Sequence, residues 1–337
     1  MGDEILQYGQ LVSVYGSRFR PELRKRWFPL SGSPDLAQIV AALMSDGHIG
    51  LQVRNAKPKL SKVVLYSSDK GECAWFLGTV CRIFGIDGKI IRYRSASGFS
   101  CNYSYKALLH CSELAKVLVA IGVPCGDKTI EAYPVPDWIM RGDSGTKRAF
   151  LRILFNFDGS VSLRSRRPNS IEMNFAMNKH KKLEKDATTF LEQVAKLLLE
   201  FGVRAGKIHI RPCKKEKMTL ILFITNARSI INFHRKIGFL NEKKIARLET
   251  AVANIEKYGR ARGVSEILEE VKGKLGTDRE AVLQINEVSN STYTARQFEH
   301  MRRGESDAPF PLLKAAFKIL GREMPDLLTF TWTHERH

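Results

Sequence analysis

Two stretches of this chain decide its fold: LAQIVAALMSDGHIG at residues 36–50 and RAFLRILFNFDGSVSL at residues 148–163. Each begins as an apolar run with helical spacing, ends in Asp-Gly and passes at once into strand-like alternation. The glycine after each acid favours a helix end, because glycine adopts the backbone conformations that terminate helices. If the two helix ends met, Asp46 would lie beside Asp158, and two neighbouring carboxylates suit a divalent cation.

The segments after the two motifs repeat in the same order. A helical stretch in each copy leads into a Phe-Gly pair, a turn glycine, a lysine and an apolar-basic alternation, as in FGIDGKIIRYR (84–94) and FGVRAGKIHIR (201–211). Each copy then adds another strand and a helix that ends in Ile-Gly. A fixed order at a spacing of 112 to 117 residues indicates an internal repeat of one α/β unit.

The predicted fold class is therefore α/β (α+β), with two pseudo-symmetric αββαββα repeats and a small all-α C-terminal domain. Residues 265–330 support the last part, because they show helical patterns and no strand signal. The expected divisions are an N-terminal basic extension (1–32), a first repeat (33–132), a linker (133–147), a second repeat (148–258) and a helical domain (263–330).

The charge of the chain is uneven. Lys and Arg number 54 against 35 acidic residues, which gives a net charge of +19. Residues 260–337 hold 12 basic and 12 acidic residues, so the whole excess lies in the first 259. An excess of this size favours a polyanionic partner, with an inert basic surface as the alternative.

Other bulk properties exclude several protein classes. No run of 18 apolar residues occurs and the start has no signal-peptide pattern, so we expect no membrane partner. The six cysteines form no C-x-x-C pair, which argues against a zinc ribbon and for free thiols in a reducing cytoplasm. We expect a cytoplasmic, nucleoid-associated protein of a prokaryote or archaeon.

These features resemble the paired motifs of LAGLIDADG homing endonucleases in their single-chain form. The resemblance covers roughly residues 34–255: both copies keep the acid, the glycine, the strand and the repeat order. The run IGVPCGDKTIEAYPVPDWI (121–139) is typical of archaeal members. The resemblance implies a monomer whose motif helices form the interface between the repeats, and whose two sheets form a saddle over a long double-stranded DNA site.

The resemblance also implies the reacting groups. Asp46 and Asp158, with Gly47 and Gly159 beside them, would bind Mg²⁺ (or Mn²⁺) next to the scissile phosphates. The endings IGVPCGDK and IGFLNEKK align Lys128 with Lys244, at positions where the family has a lysine near each active site. Lys243 is the alternative register for the second lysine. One metal-centred site for each strand would give a double-strand break.

Polar side chains on the predicted strands are the candidate DNA contacts. Most contacts of this kind are made with phosphates rather than with bases. For His48, which follows the first Asp-Gly, the alternative is an exposed strand histidine with no role in binding. The candidates are His48, Gln52, Arg54, Arg92, Arg94, Ser162, Arg164, Arg166, Lys207, His209 and Arg211.

The C-terminal segment resembles a helix-turn-helix module. YTARQFEHMRRG (293–304) and PFPLLKAAFKILG (309–321) carry this resemblance. It implies a recognition helix over residues 292–301 that would contact DNA through Arg296 and Gln297, with Thr294 and His300 as further candidates. A purely packing role is the alternative.

The sequence departs from the family at the helix interface. The first motif has the small residues Ala41 and Ala42, whereas the second has Ile153 and Leu154, so we expect a wider or asymmetric helix pair. Met44 stands in the place of the family's first acid.

Three functions remain open at this level. The first is a site-specific, intron-encoded DNA endonuclease, which the two retained acids favour. The second is a non-catalytic binder on the same fold, such as an RNA maturase with intron RNA as its partner, or a transcriptional regulator. The third is an intein-derived enzyme; the chain shows no splicing-type Cys or Ser at its start and no His-Asn ending, which disfavours self-splicing.

Overall fold

The structure is a computed structural model that describes residues 3–15, 20–54, 57–94, 103–163, 171–213 and 216–332. The chain divides into two compact units. The first contains Met1–Ser160, Met173–Ile224 and Arg235–Ile245, and the second contains Val161–Glu172, Thr225–His234 and Ala246–His337.

The N-terminal extension is folded. Its two strands, β1 (Glu4–Leu6) and β2 (Leu30–Ser31), pair antiparallel, and the helices α1 (Tyr8–Tyr15) and α2 (Pro21–Trp27) lie between them in sequence. Trp27 is buried and donates its indole N–H to the carbonyl of Phe84 at 2.8 Å, which ties the extension to the first repeat.

The first repeat begins at a well-capped helix. Ser33 accepts a hydrogen bond from the backbone N–H of Leu36, and Pro34 occupies the first turn, where a missing N–H costs nothing. The sheet order is β3-β4-β6-β5, with all neighbours antiparallel. Its elements are α3 (Pro34–Met44), β3 (Gly47–Arg54), β4 (Lys57–Ser67), α4 (Lys70–Phe84), β5 (Lys89–Arg94), β6 (Tyr103–Leu109) and α5 (Ser112–Ala120).

The second repeat has the same topology. After the short linker helix α6 (Asp137–Met140), its sheet has the order β7-β8-β10-β9. The predicted αββαββα repeat is therefore confirmed. The elements are α7 (Ser144–Asp158), β7 (Gly159–Leu163), β8 (Ile171–His180), α8 (Glu184–Glu200), β9 (Ile208–Pro212), β10 (Lys217–Ile224) and α9 (Ala227–Lys236).

The two motif helices, α3 and α7, pack against each other in the first unit. Ala41 and Ala42 of α3 are fully buried, and so is Phe155 of α7. Small residues of α3 therefore face large residues of α7 in this interface, and the expected wider spacing of the helices stays a prediction.

The C-terminal segment is mainly helical. The helices are α10 (Glu242–Tyr258), α11 (Ser265–Leu275), α12 (Asp278–Ser289), α13 (Ala295–Arg302) and α14 (Phe310–Ile319). Three strands of two or three residues, β11 (Arg260–Arg262), β12 (Ala308–Pro309) and β13 (Thr331–Trp332), form a small antiparallel sheet in the order β12-β11-β13. Strands this short carry no alternation that a sequence pattern could reveal.

The structure bears on two expectations from the composition: the state of the cysteines and the presence of membrane spans. The five described cysteines, Cys73, Cys81, Cys111, Cys125 and Cys213, are free thiols. Within the described residues, the helices are all too short or too polar to traverse a bilayer.

Candidate metal centre and nucleic-acid interface

The two motif acids meet at the C-terminal ends of α3 and α7. Burial, together with the nearby negative charge of Asp46, raises the pKa of Asp158 to about 7. The pKa of Asp46 is also raised, chiefly by burial, although its side chain stays accessible to solvent. The two carboxylates therefore interact in a largely desolvated environment.

Each helix end is capped by a lysine. The Lys128 ammonium donates to the carbonyls of Leu43 at 3.1 Å and Met44 at 3.2 Å, and also to the carbonyl of Ser45. A helix C-terminus carries partial negative charge on unpaired carbonyls, so a cation there is stabilising. The positive charge of Lys128 partly opposes the rise that burial causes in the pKa of both aspartates.

Lys244 does the same for the second helix. Its ammonium donates to the carbonyls of Asn156 at 2.6 Å and Gly159 at 2.5 Å, with longer bonds of 3.4 Å to Phe155 and Phe157. Lys243, the alternative register, has an exposed side chain instead. The structure therefore brings Lys128 and Lys244, and not Lys243, to equivalent positions beside the acids.

A third carboxylate lies behind the pair. Glu72 is buried, and its Oε1 accepts hydrogen bonds from the side-chain amides of Asn156 at 2.8 Å and Asn241 at 3.1 Å, while Ser67 donates its hydroxyl to Oε2. The negative charge of Glu72 raises the pKa of Asp46. Sequence reasoning missed Glu72, although a glutamate beside Cys73 in an apolar helix was a usable signal.

Asn156 is the centre of this network. Its amide oxygen accepts from the backbone N–H groups of Leu240 at 3.0 Å and Asn241 at 2.7 Å. It thereby fixes the segment that leads to Lys244. A buried amide that satisfies several partners holds its neighbours in one arrangement.

The donor set was tested against a divalent cation. Within the described residues there is no cluster of three or more His, Cys, Asp or Glu side chains suited to a metal. Mg²⁺ nevertheless binds through one or two carboxylates and keeps waters or phosphate oxygens as its other ligands. The buried hydroxyl of Ser45 lies beside Asp158 and lowers the pKa of that carboxyl. This hydroxyl has no hydrogen-bond partner of good geometry, so it could bond to a water ligand of an ion held by Asp158. The residues fit such an ion.

The second sheet presents a polar open face. On β10, Leu220 and Leu222 are buried on one face, and Thr219 and Ile221 on the other face lie opposite Arg211 and His209 of β9; Ile221 is buried as well, so the polar groups of this face come mainly from β9. Both of those basic residues are exposed, as the sequence predicted. Lys207 is exposed just before β9, and Ser162 is exposed on β7.

On β8, buried side chains alternate with less buried ones. Along residues 171–177 the apolar side chains at alternate positions point into the core, and Glu172 and Asn174 between them do not; Lys179 continues the buried series as a charged residue. The buried residues are Ile171, Met173, Phe175 and Met177.

On the first sheet, strand pairing places Arg92 and Arg94 on the face that carries Ala107 rather than on the open face. Arg92 pairs with Tyr105, and Arg94 pairs with Tyr103. Both tyrosines lie on the same face of β6 as the fully buried Ala107, which is the helix-packed face. Arg92 stacks on the Tyr103 ring at 3.5 Å. Basic residues at a sheet end can remain exposed on either face, so the alternation IIRYR alone left the face undecided.

The open face at that edge holds a different cluster. The rings of Tyr66 and Tyr93 lie 6.2 Å apart, and the Lys106 ammonium lies 5.8 Å from the centroid of the Tyr93 ring. Aligning the two copies on their Gly-Lys pairs (residues 88–89 and 206–207), one residue away from the Phe-Gly alignment, would have found part of it, because Tyr93 then aligns with Arg211 and Ile91 with His209.

Five predicted DNA contacts on the strands remain, and the structure describes only some of their side chains: His48, Gln52, Arg54, Arg164 and Arg166. His48 is half-buried, and burial is the main cause of its lowered pKa. The pairing of β3 with β4 shifts register between Ile49 and Leu51, which interrupts the expected alternation. The side chains of Gln52 and Arg54, and the whole of Arg164 and Arg166, lie outside the described residues.

The candidate recognition helix α13 is preorganised. Thr294 caps it, and the Gln297 side chain accepts the backbone N–H of Thr294 at 2.9 Å in a reciprocal capping box. The structure thus gives Gln297 a structural task that the sequence analysis did not foresee. Arg296 is exposed, and His300 is hydrogen-bonded to Glu305.

Comparison with known proteins identifies the second repeat directly. Residues 145–238 match the family model of the LAGLIDADG-like domain. This chain carries a LAGLIDADG-like domain. The match begins in motif helix α7, includes Asp158 and ends where α9 ends, and the first repeat has the same topology, so the predicted family resemblance is confirmed.

Several curated proteins contain a segment similar to part of this chain. Two are the tRNA-splicing ligase RtcB of Methanopyrus kandleri, 30% identical over 54% of this chain and 19% of the relative, and that of Pyrococcus furiosus, 28% identical over 86% of this chain and 30% of the relative. A third is the replication factor C small subunit of Methanocaldococcus jannaschii, 28% identical over 47% of this chain and 8% of the relative. The chain spans less than a third of the length of these relatives.

Among solved structures, the crystal structure of I-DmoI in complex with DNA and Mn is similar at 14% identity. That likeness covers 60% of this chain and 96% of the other, with a TM-score of 0.41. So distant a likeness leaves the assignment to the family match and to the geometry of the site.

Proposed function

We propose that this protein is a divalent-metal-dependent endonuclease that cleaves both strands of a specific double-stranded DNA site. One observation carries the proposal: Asp46 and Asp158 interact at the ends of two packed helices, and each helix end is capped by a lysine. The fold alone would not support it, because one fold hosts many functions.

The acids, the lysines and the buried polar network have separate roles in this proposal. Asp46 and Asp158 would hold Mg²⁺ or Mn²⁺, and the ion supplies a more acidic water and a counter-charge for the phosphate. Lys128 and Lys244 neutralise the helix ends and favour the ionised carboxylates. The network of Glu72 and Asn156 fixes the segment that carries Lys244.

DNA would lie across the open faces of the two sheets. His209 and Arg211 on the second sheet, and Lys106 with Tyr93 on the first, are the described side chains best placed for it. The excess positive charge in the first 259 residues supports a polyanion on this part of the chain. Helix α13 would add contacts through Arg296, which the helix-turn-helix pattern supports.

The curated relatives favour a self-contained module. The similar segments occur in proteins of unrelated names, such as a tRNA-splicing ligase and a replication factor C subunit, and make up a small part of each. A mobile element that inserts into different genes explains such a distribution better than a shared host activity. An intron-encoded or intein-borne origin fits this distribution, and a non-catalytic RNA or DNA binder is the second candidate function.

One experiment separates the candidates. A duplex selected from a random-sequence library by binding is incubated with the protein and Mg²⁺, and both strands are followed. We expect double-strand cleavage, which Asp46→Asn and Asp158→Asn abolish while DNA binding persists. Asp137→Asn, an aspartate whose side chain is 85% exposed, is the matched control and should cleave normally. Binding without cleavage by the wild-type protein would favour the non-catalytic binder.

A further inference from the structure

A buried lysine lies beneath the Lys128 side of the site. Lys179 is only 2% exposed and occupies a core-facing position of β8, opposite the buried Met218. Its neighbours on that face of the strand are apolar, so the family motif gives no reason for a charge there. A buried ammonium is costly unless it is fully hydrogen-bonded.

The partners of Lys179 are all in one stretch of chain. Its ammonium donates to the carbonyl of Lys128 at 2.6 Å and to the carbonyl of Glu131 at 2.5 Å, and it lies 3.7 Å from the centroid of the Tyr133 ring. The next residue of β8 adds a backbone bond, from the N–H of His180 to the carbonyl of Thr129 at 2.8 Å. We call residues 127–133 the Lys128 segment.

The Lys128 segment has no regular secondary structure. Its backbone is therefore fixed by what it contacts rather than by a helix or a sheet. Lys244, the equivalent lysine of the second repeat, differs: it lies in the first turn of α10, where its own N–H is bonded to Asn241 at 3.0 Å. The Lys128 side lacks such a helix and depends on contacts from β8.

We propose that Lys179 is a positioning residue that holds the Lys128 segment so that the Lys128 ammonium reaches the end of α3 beside Asp46. Lys179 acts through the carbonyl of Lys128 and touches no reacting group. The consequence for strand cleavage rests on the proposed function: loss of Lys179 should impair the cleavage step served by Lys128 and spare the step served by Lys244.

The first test does not depend on activity. Hydrogen exchange is measured by mass spectrometry on the full chain for wild type, Lys179→Met and the control Lys181→Met, which removes a lysine that is 48% exposed at the end of the same strand. We expect Lys179→Met to speed exchange in residues 127–133 by about tenfold or more, as expected for loss of bonds to a charged group, and to leave residues 240–246 unchanged. Unchanged exchange in residues 127–133 would overturn the proposal.

The second test follows each strand of the selected duplex separately. Lys179→Met should slow cleavage of one strand by about tenfold, so that nicked duplex accumulates, whereas Lys181→Met should cleave both strands normally. Equal slowing of both strands would contradict the positioning role. If the wild-type protein cleaves nothing, the proposed function fails while the exchange experiment still decides the role of Lys179.

A second variant covers the case in which Lys179→Met does not fold. Tyr133→Leu keeps the lysine but removes the ring that its ammonium faces. It should raise exchange in the same segment by a smaller factor. A protected segment in Tyr133→Leu, together with a global loss of structure in Lys179→Met, would show that Lys179 serves the core alone.

Discussion

Replacing Lys244 with methionine tests whether the lysines beside the acids are helix caps. Methionine keeps the length of the side chain but removes an ammonium that bonds to Asn156 and Gly159 at 2.6 and 2.5 Å. A hydrogen bond to a charged group contributes about 1.5 to 3 kcal/mol, and a favourable charge at a helix end about 0.3 to 1 kcal/mol. Since water can reach part of the site, we expect a loss of about 2 to 4 kcal/mol.

A loss of that size is easily measured. About 1 kcal/mol shifts the melting temperature of a domain of 150 to 250 residues by about 2 to 4 °C, so Lys244→Met should melt roughly 4 °C or more below wild type. Differential scanning calorimetry of the metal-free protein gives this value. Lys243→Met, which changes the exposed neighbouring lysine, should stay within about 0.5 kcal/mol of wild type. Equal melting temperatures for Lys244→Met and Lys243→Met would refute the capping role.

Three further outcomes follow from the site. The pKa of Asp158 is raised to about 7, so its protonated form stabilises the metal-free protein below pH 4, and this contribution is lost as pH rises through 7. In urea unfolding, Asp158→Asn should therefore be more stable than wild type at pH 8 and similar to wild type at pH 4. Glu72→Gln leaves donors of the buried network without a full set of acceptors and should cost about 1 to 3 kcal/mol in the same assay, whereas Glu192→Gln, an exposed change on α8, should cost almost nothing. In filter binding to the selected duplex, Arg211→Ala should weaken affinity and reduce the salt slope by about one, while Arg92→Ala on the helix-packed face should do neither; a reversed order would mean that the two faces have been misassigned.

Local sequence patterns predicted the fold because they repeat. The Asp-Gly helix ends, the Phe-Gly turns and the strand-like alternation after each motif reflect residues that lie near one another along the chain. The same reasoning reached Asp46 and Asp158, because two helix ends in matching repeats have one plausible way to meet. It also reached Lys128 and Lys244, but through the family resemblance rather than through any local rule.

The parts that escaped prediction depend on contacts distant in sequence. Glu72 meets Asn156 across 84 residues, and Lys179 meets Lys128 across 51. The strand face of Arg92 depends on a pairing register that no single strand specifies. A buried charge is therefore recognisable from sequence as an anomaly in an apolar pattern, but its partners are not.

The two halves of the site are equivalent in their acids and capping lysines but not in what supports them. The end of α7 is backed by Asn156 and Glu72, and Lys244 lies in a helix, so that side is held by a buried network and regular structure. The end of α3 has Met44 where α7 has Asn156, and Lys128 lies in an irregular segment held by Lys179. In a symmetric dimer both sides would have to share one solution. A single chain that contains both repeats can stabilise each side differently, as the different supports of Lys128 and Lys244 illustrate.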